Sequence, residues 1–131
     1  MEIETLLSKL KNRKDILAVY LFGSHARGSN HKNSDIDICI VPNKTKKEER
    51  SDMEFIIDIS KDFSDNFDFV NFYRLPIQIK YRVFKEGKEF VCNDEKLLSS
   101  VKFNTLNEYF EMKPALDRMY DAILKQGRKH G

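Results

Sequence analysis

The sequence contains no tryptophan and only two cysteines. Ten phenylalanines and five tyrosines supply the large side chains that a core needs in the absence of tryptophan. Cys39 and Cys92 do not have the spacing of a metal-binding motif, and Cys39 stands in an apolar run that is typical of a buried small side chain. The cysteines therefore indicate neither a metal centre nor an oxidising compartment.

A strong excess of charge of one sign is also missing. The 23 basic and 21 acidic residues leave a formal net charge of +2, whereas a general nucleic-acid-binding protein usually carries a marked basic excess. The one basic cluster, Lys125 to His130, is typical of a solvated helix end, although a phosphate-binding tail would have the same composition. We therefore expect no direct nucleic-acid binding.

No apolar run approaches the length that is needed to cross a membrane, and the first residues do not resemble a signal peptide. Internal repeats and low-complexity linkers are absent as well. The length of 131 residues fits one domain. We predict a single cytoplasmic domain over 1–131, with a catalytic core over 1–92 and a C-terminal helical segment over 93–131.

Hydrophobic periodicity predicts an alternation of helices and strands. Helices are expected over 2–14, around 53–63, over 76–84 and through most of 93–131, where Pro114 either kinks or divides the helix. Strands are expected at Ile16–Phe22, Ser34–Val41, Phe67–Tyr73 and Glu89–Cys92. This alternation predicts an α/β (α+β) fold, a small mixed sheet with helices packed mainly on one face. The apolar face of the last helix is expected to be core or dimer surface.

Two aspartates mark the start of the second predicted strand. Asp35 and Asp37 are two residues apart, and residues two apart on a strand point to the same face. Such neighbouring carboxylates repel each other, and Mg²⁺ prefers oxygen ligands of this kind. The pair alone is compatible with an exposed strand end. The isoleucines that interleave it favour a metal site, because charges at the start of a buried strand are destabilising without a partner.

A Gly-Ser turn follows the first predicted strand. Gly23 allows a close backbone approach, and Ser24 offers a hydroxyl where a helix N-terminus would favour phosphate. Arg27, three residues on, could reach the same phosphates. An ordinary turn with a helix cap has the same residues, so the pair is weak evidence by itself. His25 and His31 read as loop residues rather than metal ligands, since a magnesium site does not need imidazole.

A third acidic residue, Asp68, lies between two phenylalanines in the third predicted strand. A carboxylate in a buried strand needs a partner. If this strand lies beside the strand of Asp35 and Asp37, Asp68 completes a site of three carboxylates. Otherwise it is a charge at a strand edge or a local hydrogen-bond acceptor.

Together, the segments Gly23–Gly28 and Ser34–Ile38 and the strand residue Asp68 resemble the polymerase-beta-type nucleotidyltransferase superfamily. Within it, the chain is similar to the minimal nucleotidyltransferases (MNT), the MntA-like antitoxins that pair with HEPN-domain toxins. The Gly-Ser-x-Ala-Arg-Gly form is more specific than Gly-Ser alone, and the similarity continues to Tyr109–Pro114, so it covers nearly the whole chain. One difference is Asn71, where relatives often carry an acidic residue; we do not expect that position to bind metal.

The resemblance implies a polymerase-beta-type core with a C-terminal helix, two Mg²⁺ ions as cofactors and ATP as substrate. The metal ligands would be Asp35, Asp37 and Asp68. Asp68 would bind the ion that activates the acceptor hydroxyl, and it could also take the proton of that hydroxyl. Gly23 and Ser24 would hold the triphosphate, with Arg27 assisting.

The acceptor is expected to come from another protein, because the segment 93–131 leaves little room for a domain that would hold it. The resemblance implies transfer of AMP to a tyrosine of a HEPN ribonuclease toxin, so that the chain acts as an antitoxin, and a hetero-oligomer with the toxin would be compatible. Two alternatives remain open. One is a nucleotidyltransferase with a small acceptor such as an aminoglycoside, and the other is a binding module that neutralises a toxin by occlusion alone.

Overall fold

A computed structural model describes residues 2–22, 36–44, 52–61 and 67–130. The helices are α1 (Glu2–Lys11), α2 (Asp52–Ser60), α3 (Ile77–Glu86) and α4 (Glu95–His130), with a 3-10 turn at Phe72–Arg74. The strands are β1 (Ile16–Phe22), β2 (Ile36–Pro42), β3 (Phe67–Asn71) and β4 (Lys88–Cys92). None of the helices within these ranges is long and apolar enough to span a membrane.

The four strands form one mixed sheet in the order β3-β2-β1-β4. β1 pairs antiparallel with β2 and with β4, and β2 pairs parallel with β3. A bulge near Leu17 shifts the register of β1, so that Leu17 and Ala18 contribute to the same side of the sheet. The mixed sheet with its C-terminal helix confirms the predicted fold class.

Helices cover both faces of the sheet, which corrects the expectation that they pack mainly on one. On one face, α1 and α2 bury a cluster that includes Leu10, Val19, Ile40 and Ile59. On the other, α3 and α4 bury a second cluster around Phe72. The physical reason is that β1 and β2 are apolar at both strand parities, so each face of these strands must be removed from water.

Two elements end earlier than the periodicity predicts, and local hydrogen bonds form directly beyond each. α1 ends at Lys11, and Arg13 beyond it binds Asp15 at 2.7 Å and Asp58 at 3.2 Å. The hydrogen bond to Asp15 is the main reason that the pKa of Arg13 lies above its usual value. β3 ends at Asn71, whose side-chain oxygen accepts a hydrogen bond from the Tyr73 N–H and starts the 3-10 turn.

α4 is one continuous helix of 36 residues that passes through Pro114 without dividing. Proline has no N–H, so the carbonyl of Phe110 has no intrahelical donor from that position. The helix is exposed around Pro114, where water can satisfy that carbonyl. From 111 to 126 every residue except Leu116 is exposed, so the apolar side chains of this half do not form core within the described chain.

Candidate functional site

Two of the three predicted carboxylates lie side by side on neighbouring strands. β2 and β3 run parallel, and Asp37 is the register partner of Asp68. Adjacent strands lie about 4.8 Å apart, and partners in register point to the same face. The side chains of Asp37 and Asp68 are therefore neighbours at the point where both strands begin.

The shared face is the one that α3 and α4 cover. Asp37 precedes Cys39 by two residues and Asp68 precedes Val70 by two, and both of those apolar residues belong to the α3 and α4 side of the core. Phe22, the last residue of β1, is the register partner of Asp37. Asp37 is half-buried and Asp68 is exposed. Asp37 and Asp68 lie where the apolar core ends, so their carboxylates are accessible to water at this end of the sheet.

The remaining predicted site residues lie outside the described residues. Asp35 immediately precedes β2 in the sequence, while Gly23, Ser24 and Arg27 follow β1. The loop histidines His25 and His31 are also outside the described ranges. The topology brings the end of β1 and the start of β2 to the same end of the sheet, since Phe22 pairs with Asp37.

The donor chemistry of the described pair suits Mg²⁺. This ion usually takes one or two carboxylates and completes its octahedron with waters and phosphate oxygens. Asp37 and Asp68 supply two hard oxygen donors on adjacent strands. Across the four described ranges no cluster of three metal-ligating side chains is found. The third predicted ligand, Asp35, falls in the gap before β2.

The last turn of α3 is held against the same end of the sheet. The Gly87 N–H donates to the carbonyl of Val83 at 2.9 Å. A Cβ at Gly87 would collide with that carbonyl and press on the carbonyl of Leu21. Gly87 therefore permits a close approach between α3 and the end of β1. The exposed Lys88, the next residue, pairs with Leu21.

Beneath α3, Tyr20 is 2% exposed and donates a hydrogen bond to the Glu89 carboxylate at 2.8 Å. Burial, followed by this hydrogen bond, raises the pKa of Tyr20 above its ordinary value. Lys102 of α4 lies 3.4 Å from the same carboxylate. This network ties β1, β4 and α4 together and is structural.

Asn71 lies at the other end of β3 from Asp68. Its register partner is Ile40, and it points to the face that α1 and α2 cover. Its Oδ1 accepts the hydrogen bond of the Tyr73 N–H, and its buried Nδ2 has no hydrogen-bond partner among the residues that the structure describes.

Most of the chain matches a family of known proteins. The profile of the family described as Polymerase beta, Nucleotidyltransferase matches residues 4–96, which include the whole sheet. The chain belongs to this family. Within a domain of this family, Asp37 thus stands on a central strand and Asp68 on the edge strand beside it.

A curated relative is the provisionally named protein adenylyltransferase MJ1547 of Methanocaldococcus jannaschii. It is 31% identical to this chain over 84 residues, which is 64% of the chain. The alignment spans 62% of the relative's own length.

Solved structures share the fold over nearly the whole chain. A chain from the crystal structure of a toxin–antitoxin with AMP-PNP has a TM-score of 0.70 at 21% identity, covering 94% of this chain and 96% of that one. A chain from the complex of a tri-AMPylated Shewanella oneidensis HEPN toxin with an MNT antitoxin has a TM-score of 0.63 at 17% identity, covering 93% and 92%. These likenesses extend beyond residue 96, so they include most of α4.

Three residues on the outer side of α3 were not singled out from the sequence, namely Tyr81, Arg82 and Lys85. They line one groove with Tyr109 of α4, which the sequence marked only as the start of the similar segment Tyr109–Pro114. Their only signal was basic and aromatic residues on an amphipathic helix, and most solvated helices show the same pattern.

Proposed function

We propose that this chain is a magnesium-dependent nucleotidyltransferase that transfers AMP from ATP to a protein hydroxyl. We propose further that the acceptor is a tyrosine of a HEPN ribonuclease toxin, so that the chain acts as an antitoxin. The observation that supports the proposal is the register of Asp37 with Asp68 in a chain of the polymerase beta nucleotidyltransferase family.

The proposed roles of the carboxylates are those that the family resemblance implies. Asp35 and Asp37 hold two Mg²⁺ ions, and Asp68 holds the one on the acceptor side. When bound, the ions supply charge stabilisation for the attacking and leaving oxygens of an in-line displacement. Gly23 and Ser24 hold the triphosphate, with Arg27 assisting.

The proposed transfer forms one bond to phosphorus, breaks another and has a residue that takes the released proton. The acceptor oxygen forms a bond to the α-phosphorus of ATP, the bond from that phosphorus to the bridging oxygen breaks, and pyrophosphate leaves. Asp68, exposed at the start of β3, accepts the hydroxyl proton. Positioning and charge neutralisation contribute most of the acceleration.

The identity of the acceptor protein is the more specific part of the proposal. Support comes from chains of the same fold that were crystallised in toxin–antitoxin complexes, one of them with a tri-AMPylated HEPN toxin. The name of the M. jannaschii relative, a protein adenylyltransferase, agrees with a protein acceptor. AMP-PNP in one of these crystals agrees with an adenine nucleotide as donor.

The test is to co-express the chain with a HEPN protein encoded in the same genome and to weigh that partner intact. The expected result is a mass increase of one or more AMP units that requires Mg²⁺ and disappears in the Asp37→Asn variant. An unmodified partner, with folding and Mg²⁺ binding of the chain verified, would refute the proposal. Full neutralisation of the toxin by an Asp35→Asn, Asp37→Asn double variant would instead indicate occlusion. Growth protection against aminoglycosides would indicate a small acceptor.

A further inference from the structure

The outer side of α3 and the middle of α4 enclose a groove of about 300 Å³. Its walls include Tyr81, Arg82 and Lys85 from α3, and Tyr109, Lys113 and Tyr120 from α4. We infer that this α3–α4 groove is the docking surface for the acceptor protein, and that it binds an acidic segment of that protein with an apolar or aromatic anchor. The inference rests on the proposed function, because it assigns the acceptor to a surface.

An aromatic cluster lies at the α3–α4 groove and continues beside it at Phe110. The rings of Tyr81 and Tyr109 stack with centroids 3.9 Å apart and an interplanar angle of 1°. Phe110 meets both rings edge-on, with centroids 6.1 Å and 5.4 Å away. Tyrosine clusters of this kind supply large contact area with few rotatable bonds and are enriched at protein-binding hot spots.

The net charge of the groove favours an occupant of opposite charge. Lys113 and Asp117 neutralise each other across 2.8 Å. The remaining charges are Arg82, Lys85 and Glu86, which leave the groove net positive. Within the described ranges, no ion pair joins Arg82 or Lys85 to a carboxylate. Charge complementarity therefore favours a ligand with excess carboxylates.

The extent of the adjoining apolar surface favours a protein over a small molecule. Along α4, Phe110 is 57% exposed, Ile123 56% and Leu124 60%. A small ligand in a 300 Å³ groove would not cover these residues, whereas a protein surface would. A second copy of the chain is disfavoured, because a symmetric contact would bring two positively charged grooves together.

The location of the groove suits an acceptor. α3 covers the face of the sheet that carries Asp37 and Asp68, and Gly87 holds its last turn beside the end of β1. Arg82 and Lys85 belong to the last two turns of α3. A protein held there lies on the side of the sheet that carries the carboxylates, and transfer requires one of its neighbouring segments to reach them.

The experiment measures binding separately from transfer. The Asp37→Asn variant, which cannot modify its partner, is titrated with the purified HEPN protein. The titration is then repeated with variants that carry Arg82→Glu or Lys85→Glu in addition. Lys96→Glu, an exposed charge reversal at the start of α4 outside the groove, is the matched control. We expect Arg82→Glu to weaken binding at least about tenfold and to reduce its salt dependence, and Lys96→Glu to leave both unchanged.

A second readout uses the active chain. Arg82→Glu should raise KM for the protein acceptor and leave kcat and KM for ATP near their original values. An unchanged affinity in both groove variants, with their melting temperatures preserved, would overturn the inference even if AMP transfer is intact. A raised KM for ATP alone would assign the groove to the nucleotide. Loss of a dimer without loss of partner affinity would assign the groove to a second copy of the chain. Either result overturns the inference. Groove-dependent binding without any AMP transfer would refute the proposed function and leave the partner-docking surface standing.

Discussion

The central strands and the second half of α4 contain the same kinds of apolar side chain in opposite environments. Val19, Cys39 and Ile40 of the sheet are 0% exposed, whereas Tyr120, Ile123 and Leu124 of α4 are more than half exposed. Packing among the described residues accounts for the apolar side chains of the sheet and not for those of the second half of α4. The apolar residues of the sheet therefore contribute to folding, whereas those of the second half of α4 are available to the proposed partner.

The two regions also differ in what holds them in place. The sheet is enclosed by helices on both faces, whereas α4 beyond Phe110 has the Lys113–Asp117 pair and contacts with α3 around the groove. An exposed pair of this kind adds little to stability, because water and salt screen the interaction. Substitutions in the two regions should thus change different measurable quantities.

The largest expected effect separates chemistry from both folding and association. Asp37→Asn should reduce the rate of AMP transfer about a thousandfold, because an amide cannot replace a carboxylate that neutralises metal charge. Its melting temperature and partner affinity should stay near those of the original chain. The measurement is radiolabel transfer from ATP. Asp121→Asn, an exposed aspartate of α4, is the control, and equal losses in both variants would contradict the assignment.

A matched pair of isoleucines tests the comparison directly. Ile40→Ala should lower the free energy of unfolding by about 2–5 kcal/mol, because it leaves a cavity in a site that is 0% exposed. Ile123→Ala, at a site that is 56% exposed, should change that free energy by less than about 0.5 kcal/mol. Urea denaturation measures both. A comparable loss in the two variants would show that α4 packs within its own chain.

A glycine pair gives an intermediate effect. Gly87→Ala should destabilise the fold by about 1–3 kcal/mol, because the added methyl group would collide with the Val83 carbonyl in the last turn of α3 and press on the Leu21 carbonyl of β1. Gly127→Ala, in the last turns of α4, should be neutral or stabilising by up to about 1 kcal/mol from helix propensity. Thermal melts of both variants check this. A neutral Gly87→Ala would mean that the junction between α3 and β4 can relax.

The smallest effect concerns Tyr20 in the second core cluster. Tyr20→Phe should cost about 1 kcal/mol at neutral pH through loss of the hydrogen bond to Glu89. Folding raises the pKa of Tyr20, so the unfolded chain releases its proton first as pH rises above about 10. The contribution of Tyr20 to stability is therefore complete below that pH and declines above it.

Unfolding free energies measured from pH 8 to 11 test this sign. The decline above about pH 10 should be shallower in Tyr20→Phe than in the original chain. Tyr120→Phe, at an exposed tyrosine of α4, is the control and should leave the decline unchanged. An identical slope in Tyr20→Phe and in the original chain would contradict the assignment.

Much of the sheet could be predicted from local patterns. The run Ile16–Phe22 is a strand with the predicted bounds, and Ile38 and Ile40 are buried on the face opposite Asp37. The strand of Asp68 does lie beside that of Asp37, as the site prediction requires. These features depend on residue period and β propensity, which neighbouring residues carry by themselves. The roles of Asp35, Gly23, Ser24 and Arg27 stay predictions.

The sequence alone determined which segments are strands, which aspartates could share a cation, and the resemblance to a nucleotidyltransferase, because these follow from side-chain alternation and from residue types at short spacing. Tertiary structure decided the rest. It decided that helices cover both faces, that Pro114 leaves α4 continuous, and that Tyr81 stacks on Tyr109 beside Arg82. These features join residues far apart in the chain, and only packing determines which of them meet.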